Sequence, residues 1–99
     1  MTERKKLESR DIDQRLGGVR GWTVANGKLH KEFQFEDFVQ AFGFMSSVAL
    51  IAESMNHHPE WSNVYNKVKV DLNTHSAGGI SELDFEFARK VDALERPRS

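Results

Sequence analysis

Cysteine is absent from this chain of 99 residues, so disulfides and thiolate ligands are excluded. No basic excess exists either. Fourteen lysines and arginines face fifteen aspartates and glutamates, for a formal charge of −1. A nucleic-acid backbone is therefore not an expected partner. Long uninterrupted apolar runs are also missing. The longest, Val48 to Ala52, is far too short to span a bilayer. The charged start, Met1-Thr2-Glu3-Arg4-Lys5-Lys6, leads into no apolar stretch, so no secretory signal is expected. These absences lead us to expect a soluble, cytoplasmic protein without membrane contact. Ser46, Ser47 and Ser54 lack a Gly-x-Ser-x-Gly elbow, and Gly17-Gly18 and Gly78-Gly79 lack a phosphate-loop context. Covalent catalysis and nucleotide chemistry are disfavoured.

Histidine is what the chain does have. Three of its four histidines fall in the run His57-His58-Pro59-Glu60-Trp61 and the pair Thr74-His75. Imidazole is the side chain whose ordinary pKa lies closest to neutrality, so such a cluster can give and take protons near pH 7. His30 stands apart, alternating with Lys28 and Glu32, and is read as a solvated strand residue.

The length suits one small domain, residues 1–99, with a thin core that association would support. Residues 3–16, carrying Leu7, Ile12 and Leu16, read as a surface helix ended by Gly17-Gly18. Strands at 22–25 and 28–35 flank Asn26-Gly27, a pair that tolerates the positive φ of a type I′ turn. A helix is expected over 36–55. Phe38, Phe42, Met45, Ala49 and Ala52 recur at helical spacing, while Val39, Val48, Ile51 and Met55 widen the apolar surface. One face would meet the sheet and another a second subunit. Pro59 disfavours further helix, which leaves His57 and His58 at a frayed helix end.

Strands follow at 61–65 and 68–74, with Asn66-Lys67 as their tight turn. Ala77-Gly78-Gly79 makes another turn. Ser81 opens the last helix, whose inner face is Leu83, Phe87, Val91 and Leu94. Ser81 and Asp84 have capping-box spacing, and Ile80 and Phe85 have hydrophobic-staple spacing. Residues 95–99 read as a loose tail. The expected architecture is α+β, in the order α-β-β-α-β-β-α. A four-stranded antiparallel sheet carries helices on one face.

Three readings of the histidines compete. Two could merely favour the negative end of a helix dipole. A metal site is disfavoured, because adjacent histidines project apart and no known ligand spacing is present. General acid–base chemistry needs groups titrating near pH 7 within reach of the reacting atoms, and a helix end facing a strand end could supply them. Glu53, four residues before His57, could orient that ring.

Phe33 to Phe35, Asp37-Phe38, Ala41-Phe42-Gly43-Phe44-Met45, Val48-Ala49-Leu50, Ala52-Glu53, Asn56-His57-His58-Pro59-Glu60-Trp61, Asn63-Val64-Tyr65-Asn66-Lys67-Val68 and Thr74-His75 together resemble pterin-4a-carbinolamine dehydratase. The resemblance is strong over residues 33–84, weaker over the first helix and absent from the tail. It implies a lyase that eliminates water from 4a-hydroxytetrahydrobiopterin to give quinonoid dihydrobiopterin, in tetrahydrobiopterin recycling. Neither metal nor organic cofactor is implied. The catalytic positions fall on His57, His58 and His75. Substrate contacts fall on Asn56, His57, His58, Asn73, Thr74, His75 and Ser76. Asn56 departs from an aspartate common at its position. Asp84 matches an acidic position near the family's site, although the helix cap is the favoured reading of it. Trp61 and Tyr65 are read mainly as packing residues. The resemblance also implies a homotetramer, built as a dimer of dimers. The alternative function is that of a coactivator module stabilising a transcription factor dimer in animals, which would add a nuclear location.

Overall fold

A computed structural model describes residues 4–94. Its elements are α1 (Ser9–Leu16), β1 (Thr23–Ala25), β2 (Lys28–Gln34), α2 (Phe38–Met55), β3 (Glu60–Val64), β4 (Lys67–Leu72) and α3 (Glu82–Leu94), with a short 3-10 turn at His75–Ala77. The class is α+β and the order is the expected α-β-β-α-β-β-α. All strand pairings are antiparallel, in the spatial order β1-β2-β4-β3.

Side-chain alternation sorts the sheet into two faces. Leu29 and Phe33 of β2 and Val68, Val70 and Leu72 of β4 are buried on one of them. There α2 packs on β4 and on α3. Phe33 is the aromatic centre, 4.7 Å from the Phe44 ring and 6.0 Å from that of Trp22. Trp22 Nε1 donates to Asp92 Oδ1 at 2.8 Å, and Lys31 Nζ donates to the same oxygen at 3.0 Å. The far end of α3 is thereby tied to the β1–β2 layer.

Local chemistry explains most boundaries. Asn26 and Gly27 both take positive φ, 54° and 75°, as a type I′ turn requires. Asp37 caps α2 by accepting from the Gln40 amide. Ile80 and Phe85, the staple pair, are both buried in the core.

Several expectations need correction. Residues 4–8 are not helical. Leu7 N donates to Ile80 O at 2.8 Å and Lys6 bridges Ser81, so this segment is extended. The β3–β4 turn is Tyr65-Asn66, because Val64 pairs with Lys67. Tyr65 takes the left-handed φ of 50°, and the Asn63 amide spans the turn to the Tyr65 and Lys67 carbonyls. β4 ends at Leu72, two residues early, as Thr74 turns to pair with Gly79. Leu94 is exposed rather than inward-facing. The expected tail, 95–99, lies outside the described residues.

The α2 stripe also differs. Ala41, Phe44, Val48 and Ala52 face the core, whereas Phe38, Phe42 and Ala49 are exposed. A helix apolar on every side has no period from which to select its inner face. At 18 residues with mean hydropathy 1.4, α2 is also long and apolar enough to cross a bilayer. Gln40, Gly43, Ser46 and Ser47 interrupt it, so no continuous apolar run announces it.

The opposite face of the sheet is polar. His30 Nδ1 lies 2.8 Å from Asp71 Oδ1, and His30 Nε2 lies 3.1 Å from Glu32 Oε2. The bond to Asp71, then that to Glu32, raises the His30 pKa above its ordinary 6.5. A raised folded-state pKa stabilises fully below the unfolded value and is lost as pH rises through the folded value. Urea midpoints should therefore fall as pH rises above about 6.5, and His30→Gln should remove that slope.

Candidate functional site

The site begins where α2 ends. Asn56 takes the left-handed conformation, φ 50° and ψ 45°. Its amide bonds to Glu53 O at 3.2 Å, and His57 N bonds to Ala52 O at 3.0 Å. This is a Schellman closure, so the end is tied off rather than frayed. Asparagine is among the few non-glycine residues that accept this conformation readily. Arg4 adds its guanidinium, with Nη2 3.2 Å from Asn56 O, a favourable charge at a helix C-terminus.

The closure sends the two histidines apart. His57 turns inward and is only 6 % exposed, with its ring edge-on to Phe87 at 5.9 Å. Its Nε2 lies 2.5 Å from Asp84 Oδ1. His58 turns outward, its Nε2 3.0 Å from Glu53 Oε1. Glu53 therefore partners His58, not His57 as its spacing suggested. The left-handed Asn56 breaks the helical i,i+4 relation on which that expectation rested.

Asp84 is fully buried. Its Oδ2 accepts from Thr74 Oγ1 and from the Ser81 amide, both at 2.9 Å. Ser81 Oγ accepts from Leu83 N at 3.2 Å, which completes the reciprocal capping box. The Ser81 and Thr74 hydroxyls are 2.6 Å apart, so Ser81 donates to Thr74, whose own proton goes to Asp84. The cap is thus real, but it does not exclude the other role. One carboxylate ends the cap and holds His57.

Oδ2 accepts from two donors, and an ionised carboxylate, being acceptor-only, would accept at Oδ1 as well. The His57 proton must then sit on Nε2. In the neutral ring, Nδ1 carries the lone pair.

His75 opens the 3-10 turn after β4, with its side chain 83 % exposed and its Nε2 3.7 Å from Glu60 Oε2. Thr74 links it to the His57–Asp84 pair, and Glu60 links it to the strand that follows His58 and Pro59. Asn73 is half-buried and Ser76 exposed, on either side of that pair. The Thr74 side chain is spent on Asp84 and Ser81. His30 lies on the polar sheet face, away from the buried His57–Asp84 pair, and its partner Asp71 stands opposite Glu60. Trp61 packs against the core, but Tyr65 is 62 % exposed and does not pack. A left-handed turn position points it away. Among the described residues, no group of three or more histidine or carboxylate side chains is arranged for a metal ion.

Sequence reasoning missed the buried Thr74–Ser81–Asp84 chain. The capping-box spacing announced Ser81 and Asp84, and the family resemblance set Asp84 near the site, but no local signal tied Thr74 or His57 to them. Asp84→Ala would strand buried donors from three segments and should cost about 3–5 kcal/mol in denaturant unfolding. Asp84→Asn can offer its amide N–H to His57. Imidazole 15N shifts should then show the proton moved from Nε2 to Nδ1.

Comparison with known proteins shows the family and the fold. The family model described as pterin 4 alpha carbinolamine dehydratase matches residues 5–94. A protein of Solibacter usitatus, provisionally named a pterin-4-alpha-carbinolamine dehydratase, is 57 % identical over 89 residues, 90 % of this chain and 94 % of its own. A similarly named protein of Bradyrhizobium diazoefficiens is 50 % identical over 98 residues, covering 97 % and 96 %. Among solved structures, a transcriptional coactivator/pterin dehydratase from Brucella melitensis superposes with a TM-score of 0.87 at 43 % identity, covering 91 % of this chain and 98 % of its own. A pterin dehydratase-like protein, identified as a RuBisCO assembly factor in the alpha-carboxysome, superposes at 0.63 with 26 % identity, covering 81 % and 92 %. With nearly its whole length matched, the chain belongs to the pterin 4 alpha carbinolamine dehydratase family.

Proposed function

We propose that this protein is a lyase that removes water from 4a-hydroxytetrahydrobiopterin by histidine general acid–base catalysis, serving tetrahydrobiopterin recycling. The buried Asp84–His57 pair carries this reading. It fixes one imidazole in a single tautomer, beside two histidines exposed to solvent.

The elimination requires two proton movements. The C4a hydroxyl leaves poorly unless protonated, and N5–H must lose its proton as the C4a=N5 bond forms. His57, with Nε2–H given to Asp84, presents Nδ1 as the base for the N5 proton. The resulting imidazolium stays paired with the Asp84 carboxylate. His75 supplies the proton that leaves with the hydroxyl as water. His58, steadied by Glu53, binds the substrate and assists. The electron pair of the N5–H bond becomes the new double bond, and the C–O pair departs with the water. Proton return from His57 to His75 through solvent resets the site. Asn56, Asn73 and Ser76 complete the substrate contacts, while Thr74, whose hydroxyl, N–H and carbonyl are all engaged within the chain, serves the site by holding Asp84.

A second reading is favoured by α2. Val39 and Leu50 are more than 70 % exposed and Phe42 is 56 % exposed. Apolar surface on that scale marks an association face. It suits a homotetramer built as a dimer of dimers, or the partner of a coactivator such as the Brucella relative's description names.

His57→Ala and His75→Ala should each lower the dehydration rate about 10²–10⁴-fold. Wild-type rates in both would overturn the assignment. Treatment with a chelator should leave the rate unchanged. Sedimentation at micromolar concentration should show a tetramer, and Leu50→Glu should shift it to smaller species. Monomer alone in the parent protein would refute the assembly.

A further inference from the structure

We propose that Glu60 is a positioning residue for His75, itself held in place by Lys28 reaching across the central strand. The proposal rests on the reading of His75 as the acid of the dehydration.

β3 is an edge strand and β4 lies between it and β2. Glu60 of β3 stands opposite Asp71 of β4, and His30 of β2 stands opposite the same Asp71. Two carboxylates directly opposite one another repel unless cations intervene. Here the cations come from β2. His30 takes Asp71 at 2.8 Å. Lys28 extends over β4 and donates to Glu60 Oε1, also at 2.8 Å. One Glu60 oxygen is thereby occupied. The other, Oε2, faces His75 Nε2 at 3.7 Å.

His75 needs such a guide. Its turn leaves the ring 83 % exposed, and among the described residues no hydrogen bond sets the ring's direction. Glu60 is the charged group that faces it. When the ring carries its second proton, attraction draws Nε2–H toward Oε2. The Nδ1 proton is then the one presented to the departing hydroxyl. Lys28 keeps the carboxylate from swinging away with the solvent. Its hydrogen bond also lowers the Glu60 pKa, which favours the anionic form of the guide. Exposed ion pairs add little to stability, so the pair's contribution lies in orientation rather than folding.

The test compares kcat and KM of the dehydration for E60Q, E60D, K28M, H75A and the H75A/E60Q double variant. E60Q should lower kcat about tenfold with KM nearly unchanged. E60D should recover part of that loss, and K28M should show a smaller loss of the same kind. In the H75A background E60Q should add nothing, because the group it positions is gone. Melting temperatures of the Glu60 and Lys28 variants should stay within about 5 °C of the parent. Wild-type kcat in E60Q, or the same tenfold loss in the H75A background, would overturn the positioning role while leaving His75 as the acid. Wild-type kcat in H75A would instead remove the acid assignment, and the positioning role with it.

Discussion

Three donors from three separate segments converge on the carboxylate of Asp84. His57 comes from the end of α2, Thr74 from the chain leaving β4, and the Ser81 amide from the start of α3. A buried charge is tolerated only when its hydrogen bonds are complete, and here the helix N-terminus adds a favourable dipole. The same three bonds decide where the site can be. Any shift of α3 relative to α2 would leave a buried anion short of a donor. The candidate chemistry therefore sits at the point where the fold is least free to move.

Around that point the histidines divide by environment. His57 is enclosed and hydrogen-bonded, with one proton position determined by its partner. His58 and His75 are open to solvent and each faces a glutamate. One enclosed imidazole and two exposed ones are the division of environments on which the proposed elimination draws. Charged and supporting residues differ in kind as well. Asp84 acts through burial, whereas Glu53 and Glu60 act in water, where geometry matters more than binding energy.

The sequence disclosed the order of elements well, because each boundary had its own chemistry. Asn26-Gly27 announced a hairpin, Pro59 a break, and Ser81 with Asp84 a helix start. It was silent wherever two segments distant in the chain meet. Nothing in the run around His57 names Asp84 as its partner, 27 residues away. Glu53 misled because helical spacing was carried one residue past the left-handed Asn56. The inner face of α2 was illegible for a different reason. With apolar side chains on all sides, only the finished core shows that Val48 is buried and Leu50 is not. Lys6 and Leu7 looked like one more helical turn. Their pairing with residues 80 and 81 is a tertiary event with no local signal.

Trp22 and Lys31 hold Asp92 at one end of α3, and Asp84 anchors the other. A helix fixed at both termini cannot fray stepwise from either. Its middle turns also carry Phe87, Ala88 and Val91, all fully enclosed. Such burial is the pattern of a segment whose amides exchange through global opening. The Asp84–His57 pair belongs to that same cooperative unit. His57 is thus held by the part of the fold with the most buried contacts, not by a loop that can open alone.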